Sequence, residues 1–278
     1  MKIGVIGAGT MGAGIAQAFA QSGPCEVILT DMTAELTVNG LTRIRENLDR
    51  SVAKGKLPGE EAVEIMSRIC AGEKDALAGC DLIIEAATEN AGIKKKILGE
   101  LDRLCPDTTI FATNTSSLSV TEIGRGLGHP VVGMHFFNPA PVMKLVEVVP
   151  GMETDPAVTR RVREIAEKIG KTPVEAADSP GFVVNRLLIP MINEAIGVLA
   201  EGTASEQDID TAMKLGAGHP LGPLALGDLI GLDVVLAIME VLQSETGDTK
   251  YRPHPLLRKM VRAGKLGRKS GKGFYEYG

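Results

Sequence analysis

The chain has no tryptophan, three tyrosines and six phenylalanines in 278 residues. That scarcity removes the aromatic platforms on which proteins stack nucleobases. A net charge of −5 likewise leaves no basic footprint for a phosphate backbone. Its four cysteines, Cys25, Cys70, Cys80 and Cys105, are scattered, with no C-x-x-C pair. Neither a disulfide framework nor a zinc site is indicated, and the expected setting is a reducing cytoplasm. No run of apolar residues approaches the about 20 that a membrane span requires. The start, Met1-Lys-Ile-Gly-Val-Ile-Gly7, reads as a strand and a glycine turn, not as a cleavable signal. Histidines, cysteines and carboxylates never fall at metal-ligand spacing, so no metal is expected. Low-complexity segments and internal repeats are lacking too.

What is present is ample core. Hydrophobic residues make up 44% of the chain and charged residues 23%, the balance of a soluble globular protein. Apolar strand-like runs are predicted at 2–6, 26–30, 81–85, 109–113, 131–137 and 144–149. Helical patterns fall between them, near 11–21, 34–54, 93–104 and 156–169. This alternation predicts an α/β fold, a doubly wound parallel sheet covered by helices on both faces. After 172–177 the character changes at Ser179-Pro180-Gly181, and every candidate element from 182 to about 264 is helical. The expected division is therefore 1–181 for the sheet domain and 182–278 for an all-α domain. An apolar helix over 226–242 must be buried, inside its own domain or against another subunit.

The first turn carries Gly7-Ala-Gly9-Thr10-Met11-Gly12, after a strand and at the opening of a helix. Such glycines permit a tight turn, close approach of backbone to a pyrophosphate, and close packing of helix on strand. The helix start then offers unpaired N–H groups and a positive dipole end to phosphates. Asp31 ends the next strand, about 20 residues on, where an acid accepts hydrogen bonds from the adenosine ribose and repels a 2′-phosphate. The pattern points to NAD(H) rather than NADP(H).

Further polar residues follow later strands, where ligands bind in open α/β sheets. One set is Glu85-Ala-Ala-Thr-Glu89-Asn90 with Lys94; another is Thr113-Asn114-Thr-Ser116-Ser117. Hydroxyls there serve ligand binding or helix capping equally well, and capping is the reading for Ser117 and Ser119. A third constellation is His135 and Glu147, in apolar runs on either side of Asn138-Pro139-Ala140-Pro141. The prolines make a turn, so the two arms can lie side by side and the two side chains can meet. A carboxylate that fixes an imidazole's tautomer makes half of a general-base catalyst. The plainer alternative is a satisfied core histidine beside a solvent-facing glutamate.

Taken together, these segments resemble the L-3-hydroxyacyl-CoA dehydrogenase family, with the short bacterial 3-hydroxybutyryl-CoA dehydrogenases as the nearest branch. GAGTMG, EAATEN, NTSSLS, GMHFFNPAPVMKLVEVV, DSPGFVVNR, GHPLGPLALGDLIGLD and GRKSGKGFYEY carry the likeness over essentially the whole chain. HFFNP and PGFVVNR are specific to the group, since dinucleotide binding requires neither. The resemblance implies a Rossmann-type domain, a helical domain through which a homodimer forms, and NAD-dependent oxidation of (S)-3-hydroxybutyryl-CoA. It assigns catalysis to His135 and Glu147, and the substrate hydroxyl to Ser116 and Asn185. Cofactor contacts fall on Asp31, Glu89, Lys94, Ser116, Asn138 and Lys269, beside the glycines. Family members place a lysine-rich segment for coenzyme A after the second strand, which here means Lys54, then Lys56. On charge grounds alone those lysines equally suit a solvated helix end. Two rivals stay open: a dehydrogenase of a free hydroxy acid, and a non-catalytic NAD-binding module. His129, His219 and His254 sit beside Pro or Gly and are read as loop residues without carboxylate partners. Asp81, Asp228 and Asp233 are read as strand-start or helix-cap residues.

Overall fold

The computed structural model describes residues 1–278, which divide into two compact units, Met1–Ser179 and Pro180–Gly278. The first unit is built on eight strands: β1 (Lys2–Ile6), β2 (Glu26–Thr30), β3 (Ile69–Ala71), β4 (Leu82–Glu85), β5 (Ile110–Thr113), β6 (Val131–Phe136), β7 (Leu145–Pro150) and β8 (Thr172–Glu175). Their order across the sheet is β3-β2-β1-β4-β5-β6-β7-β8. Each neighbouring pair is parallel except β6 with β7. The strand order reverses between β1 and β4, and ligands bind outside the carboxyl ends at such a switch point.

Six helices accompany the sheet: α1 (Thr10–Gln21), α2 (Ala34–Ala53), α3 (Gly59–Ser67), α4 (Ala91–Leu101), α5 (Val120–Gly124) and α6 (Pro156–Lys168). Successive strand side chains point to opposite faces. Ile3 and Val5 therefore share one apolar cluster with Phe19 of α1, Ile44 and Leu48 of α2, Ile65 of α3 and Val162 of α6. Gly4, between them, faces Leu77, Cys80 and Ile83. The central strands are buried along nearly their whole length, which explains their continuous apolar runs.

Two departures from the expected pattern stand out. The segment α3–β3 was not foreseen: a nine-residue helix feeds a three-residue strand, too short for periodicity to declare itself. The sheet is also not wholly parallel, because β6 and β7 form an antiparallel hairpin around the proline turn, with a cis bond at Asn138-Pro139. Buried Lys171 fastens that turn, its ammonium donating to the carbonyls of Ala140 at 2.7 Å and Met143 at 2.8 Å.

The second unit holds α7 (Val184–Ala200), α8 (Glu206–Gly216), α9 (Pro223–Ile230), α10 (Leu232–Thr246) and α11 (Pro255–Arg262). Ile192 and Ile196 of α7, Leu224 of α9, Val235 and Leu242 of α10 and Leu257 of α11 fill its core. Asp228, read as a cap or strand start, is instead a buried residue inside α9. Its carboxylate accepts from the backbone N–H groups of Phe274 and Tyr275 and from the Tyr277 hydroxyl, each at 3.0 Å. Asp210, also buried, accepts from Leu224 and Ala225 at the start of α9 and from the Tyr275 hydroxyl. The final segment is thereby tied into the helices by two satisfied carboxylates.

Candidate active site

The glycine turn is shaped by contacts that tolerate no side chain. A Cβ at Gly12 would lie 1.7 Å from the Gly7 carbonyl oxygen, and Gly7 itself has φ +97° against Ala86. Gly9 is the informative exception, because a Cβ there would meet nothing within 4 Å. The protein does not need Gly9 bare, so the space above it suits a ligand. Gly9 is also the N-cap of α1, and no side chain caps it, which leaves the first N–H groups for phosphate oxygens. Asp31 closes the turn from β2, accepting from Ala8 N–H at 2.6 Å and from Met32 N–H at 2.7 Å. Thr10 is exposed and Met11 half-buried at the rim. These residues fit a dinucleotide.

Past β4 and β5 lies a charged network. Glu85 and Lys94 are 0% and 2% exposed and pair at 2.7 Å. Glu89 sits 3.6 Å from the same ammonium. One Glu89 oxygen accepts from the Thr115 hydroxyl at 2.7 Å, Ser116 N–H at 2.8 Å, the Ser116 hydroxyl at 3.0 Å and Ser117 N–H at 3.2 Å. Burial pushes the Glu89 carboxyl up, but the Lys94 ammonium and the donors of Thr115 and Ser116 outweigh it and hold it below its usual value. Ser117 thus belongs to this network and caps nothing, whereas Ser119 caps α5 through Glu122 N–H as expected.

His135 and Glu147 face each other in register across β6 and β7. His135 Nδ1 lies 2.7 Å from Glu147 Oε2, with side chains 6% and 0% exposed. The period of two places both on one face of the sheet, and no solvent-facing glutamate is seen. His135 is the penultimate residue of β6, which runs parallel to β5, β4 and β1, so it stands at the edge that carries the glycine turn. Asn114, at the end of β5, ties the two strands by accepting from Phe136 N–H at 2.8 Å. Asn138 follows in the exposed turn.

The remaining candidates lie apart from these groups in sequence, two of them in the second unit. Asn185 is buried at the second position of α7, and Lys269 pairs with Asp233 at the start of α10, both in the second unit. Lys54 and Lys56 are exposed at the carboxyl end of α2. Sequence reasoning missed two residues. Glu85 is one in role only: it stands in the polar set after the strand, but an acid ending an apolar strand received no task there. His129 is the other: far from a partnerless loop residue, it is buried with Nδ1 2.7 Å from Asp102.

A dinucleotide cleft beside a histidine–carboxylate pair defines an NAD-binding dehydrogenase. Residues 2–179 match the NAD-binding domain of 3-hydroxyacyl-CoA dehydrogenase and residues 181–277 match its C-terminal domain. The chain belongs to the 3-hydroxyacyl-CoA dehydrogenase family. It is 55% identical to 3-hydroxybutyryl-CoA dehydrogenase of Clostridioides difficile, covering 100% of this chain and 99% of the relative. A probable 3-hydroxybutyryl-CoA dehydrogenase of Bacillus subtilis is 51% identical, over 99% and 97%. The crystal structure of (S)-3-hydroxybutyryl-CoA dehydrogenase from Ralstonia eutropha superposes with a TM-score of 0.93 at 47% identity, covering 100% of this chain and 99% of that one. No helix is long and apolar enough to cross a membrane.

Proposed function

We propose that this chain interconverts (S)-3-hydroxybutyryl-CoA and acetoacetyl-CoA with NAD(H). The observation that carries the reading is the in-register His135–Glu147 pair at the carboxyl edge of the sheet. When bound, NAD⁺ supplies the acceptor for the hydride that leaves C3. The protein's part is to hold C3 in line and to manage the hydroxyl proton. Nδ1 of His135 is committed to Glu147, so the proton passes between the substrate oxygen and Nε2. Glu147 keeps the ring in that tautomer and stabilises the imidazolium that forms on oxidation. In reduction the imidazolium returns the proton to the C3 oxygen. Ser116 and Asn185 hydrogen-bond that oxygen, Ser116 sharing its hydroxyl with Glu89. Asn138, Glu89 and Lys269 complete the cofactor contacts, and Lys94, 2% exposed, serves them from behind Glu89. Asp31 accepts from the adenosine ribose and disfavours a 2′-phosphate.

Lys54 and Lys56 are assigned to the coenzyme A 3′-phosphate. Replacing both with alanine is expected to raise KM for the thioester several-fold and leave kcat nearly unchanged. The helical unit exposes Leu187, Leu215 and Leu229, at 71%, 84% and 52%, which supports association of two copies through it. Sedimentation analysis should then show a dimer or a multiple of one.

The deciding assay follows loss of NADH and NADPH absorbance with acetoacetyl-CoA and with free acetoacetate. Rapid oxidation of NADH by the thioester alone is expected. Turnover of the free acid would move the protein to hydroxy-acid dehydrogenases. Silence with both, despite NADH binding, would leave a binding module.

A further inference from the structure

Glu85 takes no part in the chemistry above, yet it touches each side of the cleft in which the cofactor is placed. It is the last residue of β4, the strand between β1, which feeds the glycine turn, and β5, which feeds the Ser116 loop. One carboxylate oxygen accepts from Ala87 N–H at 2.8 Å. That loop abuts the glycine turn: Ala86 N–H donates to the Ile6 carbonyl at 2.7 Å, and Gly7 packs on the Ala86 backbone. The other oxygen accepts from Lys94 Nζ at 2.7 Å and the Thr113 hydroxyl at 2.8 Å. Lys94 in turn faces Glu89, whose oxygen gathers the donors of residues 115–117.

The energetics favour reading this as one unit. A carboxylate that is 0% exposed must have its lone pairs met, and three donors meet them here. A buried ion pair contributes little net stability over well-packed apolar residues, but removing one partner strands the other charge in a dry interior. Glu85 therefore fixes where the Lys94 ammonium can sit. That ammonium and the hydroxyls of Thr115 and Ser116 fix where Glu89 can sit, and with it the backbone of the Ser116 loop.

We propose that Glu85 is a positioning residue for the nicotinamide cofactor, acting through Lys94 and Glu89 on the Ser116 loop. The proposal rests on the cofactor assignment above. It does not need Glu85 to touch the cofactor, and a 0% exposed side chain is not placed to do so.

The test is fluorescence titration of NADH into the full chain without substrate, for wild type, Glu85→Gln, Lys94→Met and the double variant, with Tm recorded beside each Kd. Each single change is expected to weaken NADH by about tenfold or more, equivalent to about 1.4 kcal/mol. The double variant should bind no more weakly than the worse single, because both changes interrupt one path. A purely structural Glu85 would lower Tm and leave Kd within about twofold, and that result would overturn the proposal. So would losses that multiply in the double variant. If Glu85→Gln strands the ammonium badly enough to prevent folding, Lys94→Met is compared with the double variant, in which the pair is neutral. Equal affinities are then expected, and a further drop on removing Glu85 overturns the proposal. Failure of the wild type to bind NADH would instead refute the cofactor assignment itself.

Discussion

Two histidine–carboxylate pairs, their histidines six residues apart on the chain, each hold Nδ1 at 2.7 Å from a carboxylate oxygen. By distance they are the same object, and both imidazoles are buried, but Glu147 is 0% exposed and Asp102 20%. They differ in what surrounds them. His129 spends both ring nitrogens on its own unit, Nδ1 on Asp102 and Nε2 on the Pro106 carbonyl at 3.0 Å, and stacks on Phe111 with centroids 4.4 Å apart. Asp102 also accepts from Gly128 and His129 N–H. That pair fastens the loop after α4 to the entry of β6, at the amino edge of the sheet. His135 sits at the other end of the same strand, at the edge where open α/β sheets bind ligands. A histidine–carboxylate pair is thus not a catalytic signature in itself. The strand end it occupies separates the two roles.

Mutation of each pair tests that separation, and the largest effect should come from the imidazole of the carboxyl-edge pair. His135→Gln is expected to lower kcat by about 10²–10⁴-fold while NADH binding is retained. Near-normal turnover in that variant would sink the mechanism. Glu147→Gln should fold and lose most activity, with a smaller drop than His135→Gln, and its pH–rate profile should move. An unchanged profile would remove Glu147 from the chemistry. His129→Gln should show the opposite pattern, with a Tm lower by several degrees and kcat within about twofold of wild type. A kinetic defect as large as that of His135→Gln would erase the distinction.

The smallest effect concerns acid stability. Burial raises the Asp102 carboxyl, but the N–H donors of Gly128 and His129 and the imidazole outweigh it and hold it below its ordinary value of 3.8. A depressed carboxylate stabilises the fold above its unfolded pKa, and that contribution is lost as pH falls through the folded value. Asp102→Asn should therefore flatten the stability profile below about pH 4 and lower stability at pH 7. Urea unfolding at both pH values measures the difference. A loss that is the same at every pH would mean that the hydrogen bonds alone matter, not the charge.

Much of the fold was legible because the physics is local. Apolar runs of four to six residues ending in Asp31, Glu85 and Thr113 declare buried strands, and the two prolines after Asn138 declare the turn that brings Glu147 to His135. The His135–Glu147 contact was readable because a hairpin converts sequence distance into register. Asp102 and His129 meet 27 residues apart through a helix-to-strand connection, where no register applies, and so the partner was invisible. The same holds for Asp228, whose donors lie 46 to 49 residues away. Lys94 was legible as a residue of the cofactor region, but its burial between two carboxylates was not. A lysine in the first turns of a helix normally faces water, and only the packing of α4 on β4 dictates otherwise.

The carboxylates of Asp210 and Asp228 carry a consequence for biosynthesis. Every strand of the first unit, and the Asp178 carboxylate that accepts from Val120 and Thr121 at the start of α5, has been made before the first helix of the second unit is translated. The sheet can therefore close while the ribosome is still at work. The helical unit has no such freedom. Until Phe274, Tyr275 and Tyr277 emerge, Asp228 lacks its three donors and Asp210, held by Leu224 and Ala225 N–H, lacks the Tyr275 hydroxyl, so ordering α9 around them is costly. Translation through Tyr277 is the step that completes the second unit.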